Sequence, residues 1–238
     1  MNIYKNIPVE GYQRVLEVTN NAVGLHAIIS VHNTNRGISL GGCRAMTYEN
    51  RDAMLFDVLR LSKGMTYKNA ISGLDLGGGK SVINLKGKPL TNNMLQAFGE
   101  ALNYINKDNV IYYTAGDIGI GPRQSEIMRM YSKYVNVANG RDSGYATAYG
   151  VMQAIFAALD ARHIKREDAR VAITGYGKVG MRLKNFLKDK VKEVIVFDIY
   201  TNGEGVKPIS ELPKYLSEVD VYAPCAIGAI VNPSMRCK

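Results

Sequence analysis

Short apolar runs alternate with longer amphipathic stretches along most of the chain. The runs at residues 15–18, 25–31, 81–85 and 110–114 are rich in Val, Ile, Leu and Tyr and predict strands. Residues 38–44 predict a strand that ends in a tight loop, because Gly41 and Gly42 lie within them. These segments predict a sheet in the first half of the chain.

Helices are predicted between these strands. Apolar residues recur every three or four positions from residue 51 to residue 68. Thr91 is a predicted N-cap for a helix that ends near residue 106, and Pro122 is suited to the first turn of a short helix. Strands that alternate with helices predict an α/β layer structure.

The second half repeats the alternation after a polar loop at residues 139–144. A helix is predicted at residues 147–161 and a strand at 170–174. A glycine-rich loop at 175–180 follows, and then a helix that ends near residue 189. A strand at 193–198, a short helix at 209–216 and a strand at 220–223 complete the order. We therefore expect two α/β domains, 1–140 and 145–238, the second being Rossmann-like.

Composition excludes several classes of protein. The 238 residues are 46% hydrophobic and 21% charged, which is typical of a soluble globular protein, and the expected location is the cytoplasm. No apolar run approaches the length of a membrane helix. Three widely spaced cysteines predict neither a disulfide framework nor a metal site. The net charge of +9 is spread along the chain without a basic run, which disfavours nucleic-acid binding. A positive charge would also suit an anionic substrate or a phosphate-containing cofactor.

Two lysines lie in an unusual context. Lys68 continues the apolar stripe of the helix at residues 51–68, so we expect it to face a core or a cleft, where an anion would offset its burial. Three glycines at residues 77–79 precede Lys80 and would let the backbone approach a ligand closely. The pair would suit a small carboxylate. Alternatively, Lys68 extends into solvent from the helix end and the glycines form only a turn.

A dinucleotide motif is present in the expected context. Gly175, Gly177 and Gly180 follow a predicted strand and begin a helix, and Asp198 ends the next strand. The amides at the helix start, at Lys178 and Val179, would bind a pyrophosphate. A carboxylate at residue 198 would bind a ribose 2′-hydroxyl and repel a 2′-phosphate, which favours NAD over NADP. The alternative is a doubly wound domain that binds no nucleotide at this loop.

Several segments together resemble the Glu/Leu/Phe/Val amino-acid dehydrogenase family, and its leucine/phenylalanine/valine branch most closely. The similarity is collinear over nearly the whole chain. The matching segments are residues 24–29, 40–44, 63–70, 76–80, 114–119, 147–151 and 222–226.

The resemblance implies roles for individual residues. Lys68 would bind the substrate α-carboxylate, Lys80 would be the catalytic lysine, and Asp117 would be its acid/base partner. The backbone of Gly41 and Gly42 would line the substrate pocket. Further cofactor contacts would come from the remaining matching segments, at Thr147, Cys225 and Ala226.

The resemblance also implies an activity: NAD-dependent oxidative deamination of an L-amino acid to its 2-oxo acid, or the reverse reductive amination, by a homodimer or a higher homo-oligomer. Its N-terminal domain would bind substrate and form the dimer. Leu40 stands where glutamate-specific members have a lysine, and Ala115 is small, so we expect an apolar or aromatic substrate.

The sequence departs from the family at its C-terminal end. Family members continue for about a hundred residues beyond residues 231–232, and only about three strands of the second sheet are expected here. The alternative function is a shortened relative without efficient redox activity, which binds an amino acid, 2-oxo acid or imine as an accessory subunit or performs non-redox chemistry.

Overall fold

The computed structural model describes residues 1–137, 143–200, 205–226, 228 and 231. The chain divides into two compact units, Met1–Gly140 and Arg141–Lys238. Both are built from sheets and helices, so the predicted α/β class is confirmed.

The first unit consists of a six-stranded sheet and three helices. Its strands are β1 (Ile3–Asn6), β2 (Arg14–Asn20), β3 (Leu25–Asn33), β4 (Ser39–Met46), β5 (Gly77–Asn84) and β6 (Tyr112–Gly116). Its helices are α1 (Arg51–Ile71), α2 (Asn92–Ile105) and α3 (Pro122–Tyr131). The predicted caps are confirmed, since the Thr91 side chain accepts a hydrogen bond from the amide of Met94, and Pro122 begins α3.

The sheet has the order β1-β2-β3-β5-β4-β6. Strands β4, β5 and β6 run parallel, whereas β1, β2, β3 and β5 pair in antiparallel fashion. Helix α1 packs on one face over a small cluster that includes Val58 and Val82. Helices α2 and α3 cover the other face over the larger core, which is centred on side chains such as Phe98 and Tyr112. The parallel strands place their carboxyl ends at one edge of the sheet.

The predicted loop at Gly41–Gly42 is wrong, because both glycines lie inside β4. Residues 77–79 likewise belong to β5, so the interpretation of this segment as only a turn is also wrong. Close packing explains these glycines. A Cβ at Gly41 would lie 1.6 Å from the carbonyl oxygen of Gly79, and a Cβ at Gly78 would lie 2.1 Å from the hydroxyl of Thr66 on α1.

The second unit contains a four-stranded parallel sheet in the order β10-β7-β8-β9. Its strands are β7 (Arg170–Thr174), β8 (Glu193–Asp198), β9 (Val206–Pro208) and β10 (Val221–Pro224). Its helices are α4 (Ser143–Ala161), α5 (Lys178–Leu187) and the single turn α6 (Leu212–Tyr215), with short 3₁₀ segments at Arg166–Asp168 and Ile209–Glu211. This order corresponds to one half of a doubly wound nucleotide-binding sheet plus the first strand of the other half.

Several predicted bounds are wrong. Strand β6 begins at Tyr112 rather than at residue 110, and the sheet of the second unit has four strands rather than three, because β9 was not predicted. Strand β1 was also not predicted. Ser143 and Gly144, predicted as loop, begin α4, and the rest of that predicted loop lies outside the described residues. Within the described part of the chain, no helix is long and apolar enough to cross a membrane.

Candidate functional site

The parallel strands of the first unit bring the predicted catalytic residues together. Gly42 of β4 pairs with Ala115 of β6, and the next residue of β4 pairs with both Ser81 and Gly116. This register places Lys80 level with Gly42, and Asp117 follows directly after the end of β6. A side chain at Gly42 would collide with Asp117, since a Cβ there would lie 2.9 Å from the Asp117 Cβ. The glycine therefore makes room for the carboxylate.

Lys80 and Asp117 form a direct ion pair. The Lys80 Nζ lies 2.8 Å from the Asp117 Oδ2, and the same oxygen accepts a hydrogen bond from the Arg44 Nε at 3.1 Å. The Lys80 side chain is only 8% exposed and that of Asp117 is 25% exposed. The arrangement is a buried ammonium and a partly accessible carboxylate that share a short contact.

Burial lowers the pKa of Lys80 below its usual range. The carboxylate of Asp117 opposes this shift, and the guanidinium of Arg44 adds to it. Burial alone would raise the pKa of Asp117, but the charges of Lys80 and Arg44 outweigh burial and hold that pKa below its ordinary value. The pair therefore combines a lysine that loses its proton more readily than usual with an aspartate that stays ionised, which is suited to proton transfer.

A second layer of charge behind this pair was not predicted as functional. The Arg44 Nη1 donates to the Asp57 Oδ2 of α1 at 3.1 Å, and the Tyr48 hydroxyl donates to the same oxygen at 2.9 Å. The Asp57 Oδ1 accepts from the Arg60 Nη2 at 2.5 Å. Arg44 was known only as the end of a matching segment. The available signal was its strand position two residues after Gly42, which places it on the same face as Lys80.

The predicted burial of Lys68 is wrong. Lys68 is exposed in the last turn of α1, and the face of α1 that packs on the sheet runs instead through Met54, Val58, Ser62 and Asn69. The Ser62 hydroxyl bonds to Ser30, and the Asn69 amide donates to the Gly77 carbonyl oxygen at 2.7 Å. The buried face of α1 thus continues through polar residues in its last turns, and Lys68 lies beside that face.

The other predicted substrate residues lie on β4 and β6. Leu40 is half-buried on β4, two residues before Gly42, and Ala115 is half-buried on β6. Gly41 is buried, and its carbonyl oxygen accepts a hydrogen bond from the Tyr112 hydroxyl at 2.8 Å. The strand alternation therefore places Leu40, Gly42 and Arg44 on one face of β4.

The glycine-rich loop of the second unit lies where β7 and β10 separate. Gly175 has φ +91°, and a Cβ there would lie 2.7 Å from the amide nitrogen of Ala226. A Cβ at Gly180 would lie 1.8 Å from the Gly175 carbonyl oxygen, so glycine permits the close contact between α5 and the loop. A Cβ at Gly177 would meet nothing within 4 Å, and no side chain caps the first amides of α5. This open helix start fits a pyrophosphate.

The remaining predicted cofactor residues surround this loop unequally. Asp198 at the end of β8 accepts from the Tyr176 amide at 2.5 Å and from the Tyr200 amide at 2.7 Å, so it holds the loop as well as facing it. Cys225 follows β10 and donates its amide to the Thr174 carbonyl oxygen at 2.7 Å. Lys178 is exposed and Val179 is half-buried in the first turn of α5. Thr147 is exposed on α4, where its hydroxyl donates to the Ser143 carbonyl oxygen.

A buried lysine–aspartate pair in one α/β unit and a glycine-rich loop at the strand switch of another are features of dinucleotide-dependent oxidoreductases. Residues 12–134 match the family model "Glu/Leu/Phe/Val dehydrogenase, dimerisation domain". The chain belongs to this family of amino-acid dehydrogenases, oxidoreductases that act on the CH–NH₂ group.

Individual relatives agree with this assignment. Leucine dehydrogenase of Bacillus subtilis is 35% identical over 98% of this chain and 67% of its own length. L-tryptophan dehydrogenase of Nostoc punctiforme is 33% identical over 98% of this chain and 68% of its own length. The crystal structure of the Nostoc enzyme matches with a TM-score of 0.66 and covers 94% of this chain and 66% of that one.

A hetero-hexameric glutamate dehydrogenase from Thermus thermophilus, whose structure has leucine bound, shares the fold with a TM-score of 0.70 at 18% identity. That match covers 98% of this chain and 62% of that one. The chain thus spans about two thirds of the length of the relatives it matches.

Proposed function

We propose that the protein oxidatively deaminates an apolar or aromatic L-amino acid, with the Lys80–Asp117 pair as its catalytic centre. The overall reaction converts the amino acid, NAD⁺ and water into a 2-oxo acid, ammonium, NADH and a proton. The observation that carries the proposal is the 2.8 Å contact between a buried lysine with a lowered pKa and an ionised aspartate. Both residues occupy the positions that the family resemblance assigns to catalysis.

Each residue of the pair has a distinct role. Neutral Lys80 accepts a proton from the water that adds to the substrate carbon after hydride has left it, and then returns the proton as the bond to nitrogen breaks. Asp117 holds the lysine in place and exchanges protons with the substrate nitrogen. The exposed ammonium of Lys68 binds the α-carboxylate. Because Lys68 is exposed, its charge can bind a ligand from solution without the desolvation cost that a buried, unpaired lysine would carry.

The second unit is proposed to bind NAD. When bound, NAD would supply the hydride acceptor for the reaction. The uncapped start of α5, at Lys178 and Val179, would hold the pyrophosphate, and Gly177 leaves room for it. Asp198 would accept a hydrogen bond from a ribose hydroxyl, and its charge would disfavour a 2′-phosphate. Thr147, Cys225 and Ala226 are proposed as further contacts.

The substrate preference is proposed from the lining of β4 and β6. Leu40 offers apolar contact, and Gly41, Gly42 and Ala115 leave space beside Lys80. On the face of β4 that carries Leu40 and Gly42, Arg44 is the one cation among the described residues, and its guanidinium already bonds two carboxylates. A substrate side chain with its own carboxylate would therefore lose its hydration without gaining an ion pair, which favours leucine-like or aromatic substrates.

We also propose that the functional form is a homo-oligomer, since the matched family model is described as a dimerisation domain. Native mass spectrometry of the purified protein tests this. A dimer or a larger closed assembly is expected, and a monomer at micromolar concentration would contradict it.

The activity is tested by NADH formation, measured as absorbance at 340 nm. The panel contains L-leucine, L-valine, L-phenylalanine, L-tryptophan and L-glutamate at alkaline pH, with NAD and NADP in separate runs. Turnover of at least one apolar substrate with NAD, and at least tenfold lower kcat/KM for glutamate, is expected. Absence of turnover while calorimetry shows NAD binding would favour the non-redox alternative.

A further inference from the structure

Arg44 connects the catalytic pair to the helix behind it. Its Nε donates to Asp117 and its Nη1 donates to Asp57, so one planar guanidinium spans two carboxylates. The Arg44 side chain is only 10% exposed. A guanidinium remains charged at all relevant pH values, and two anchors fix its plane. Arg44 therefore contributes a permanent charge at a fixed place beside Lys80.

The carboxylate that anchors Arg44 is itself held firmly. Asp57 accepts hydrogen bonds from Arg44, Tyr48 and Arg60, and its side chain is 12% exposed. Burial, together with the charge of Asp57, raises the pKa of Tyr48, so its hydroxyl stays protonated and continues to donate. Helix α1, through Asp57 and Arg60, and Tyr48 between β4 and α1 thus fix the far arm of Arg44 independently of Lys80.

The charges of this network balance only when Lys80 is neutral. Arg44 and Arg60 are cations, and Asp57 and Asp117 are anions. A protonated Lys80 adds an uncompensated positive charge to the group. Without Arg44, neutral Lys80 would leave Asp117 as a largely buried carboxylate with no cation in contact. Because such a carboxylate is energetically costly, protonation of the Lys80–Asp117 pair would become more favourable.

We propose, on the basis of the function proposed above, that Arg44 is the positioning residue that keeps Asp117 ionised and in place while Lys80 loses and regains its proton. Arg44 acts through Asp117 rather than on the substrate. The charged and titratable groups that act on Lys80 are Asp117 after β6 and Arg44 and Cys43 of β4, and α1 contributes Asp57 through Arg44. Burial raises the pKa of Cys43 to about 12, so its thiol contributes no charge near neutral pH.

The expected effect of removing Arg44 follows from distance. Lys80 and Arg44 contact the same Asp117 oxygen, so their nitrogens are no more than about 6 Å apart. A like charge at that distance disfavours a protonated lysine and therefore lowers its pKa. Arg44→Met should therefore raise the pKa of Lys80.

The test measures this pKa without requiring turnover. Competitive labelling with acetic anhydride across pH, read by mass spectrometry at Lys80, is applied to the wild type, Arg44→Met, Arg44→Lys and Arg51→Met. The last variant is the matched control, because the Arg51 guanidinium also donates two hydrogen bonds to carboxylate oxygens, both of Glu17, elsewhere in the same unit. The acidic limb of the kcat/KM profile is measured in parallel.

The expected results distinguish charge from packing. Arg44→Met raises the labelling pKa and moves the acidic limb upward by the same amount. Arg44→Lys keeps both near the wild-type values but lowers kcat about tenfold, because the two-armed contact is lost. Arg51→Met changes neither. Circular dichroism confirms folding, and Arg44→Gln carries the same expectation if Arg44→Met does not fold.

Other outcomes would overturn the role of Arg44. An unchanged or lowered Lys80 pKa in Arg44→Met would do so, as would an equal rise in Arg51→Met. If the wild type forms no NADH but Arg44→Met still raises the labelling pKa, the proposed activity fails and the electrostatic role of Arg44 remains.

Discussion

Replacing Asp117 by asparagine isolates the charge of the catalytic pair with little change in volume. Lys80 and Arg44 would then face each other within about 6 Å without the carboxylate that now lies between them, and both side chains are about nine-tenths buried. The repulsion between these two cations is already present in the wild type, and what Asp117→Asn removes is the attraction between the carboxylate and the Lys80 ammonium. For unit charges 2.8 Å apart this attraction is about 6 kcal/mol at an effective dielectric constant of about 20. Asp57, on the far arm of Arg44, offsets part of the repulsion.

Two effects of Asp117→Asn are therefore expected. The pKa of Lys80 falls further, since the group that favours its charged form is removed, so the acidic limb of the kcat/KM profile moves to lower pH. The kcat at the new optimum falls by about 10²–10⁴-fold, because the proposed acid/base partner of the substrate nitrogen is lost. This downward shift is opposite in sign to the shift expected for Arg44→Met.

Steady-state NADH formation across pH measures both effects. Asp52→Asn is the matched control, because Asp52 on α1 has a 92% exposed side chain and lies 3.9 Å from its nearest cationic nitrogen, in Arg51. That control should leave kcat and the profile unchanged. A kcat for Asp117→Asn within threefold of the wild type, or a limb that does not move, would refute the coupling of Asp117 to Lys80.

Three further substitutions test other parts of the structure. Lys68→Ala should raise KM for the amino acid at least tenfold with little change in kcat, since only the carboxylate contact is lost; steady-state kinetics at saturating NAD measure this, and a normal KM would contradict it. Asp198→Asn should weaken the affinity for NAD about tenfold and reduce the preference for NAD over NADP. The charge is lost, while the side-chain carbonyl oxygen of asparagine can still accept a hydrogen bond from the glycine-rich loop. Calorimetry with both cofactors measures this, and an unaltered preference would contradict it. Glu17→Gln should lower the free energy of unfolding by about 2 kcal/mol at pH 7. The reason is that the hydrogen bonds of Arg51 hold the pKa of Glu17 at about 2 rather than its ordinary 4.5. Because Arg51 is partly exposed, solvent screening reduces the stability that this pKa shift contributes. This contribution is fully present above about pH 4.5 and is lost as pH falls toward 2, so urea unfolding curves of the two proteins should converge at low pH; equal stability at pH 7 would contradict it.

The elements that depend on local signals were predicted well. Thr91 and Pro122 define helix starts through their own backbone chemistry, and the glycine-rich loop has its strand before it and its helix after it. The short strands β1 and β9 were missed, because Ile-Tyr-Lys-Asn and Val-Lys-Pro lack the apolar run that marks the equally short β10.

The errors around the site have a tertiary cause. Gly41 was assigned to a loop, and a turn was one of two alternatives for Gly79, because glycine usually marks turns; here the two glycines allow two parallel strands to approach closely. Lys68 was placed on the buried face by apolar spacing alone, whereas the buried position in that turn is the polar Asn69, which donates to the Gly77 carbonyl oxygen. Asp57 could not be connected to Arg44 until the register of the strands and the position of α1 were known.

The proposed function requires that hydride leaves the substrate α-carbon for the cofactor and that Lys80 takes part in the reaction. The most direct measurement uses L-leucine, or the best substrate of the panel, deuterated at Cα, with mass spectrometry of the nicotinamide product and assay of ammonia. We predict one deuterium in each NADH formed and one ammonia per NADH, with both products lost in Lys80→Ala although NAD still binds. Unlabelled NADH, 2-oxo acid formed without NADH, or full activity in Lys80→Ala would contradict the account.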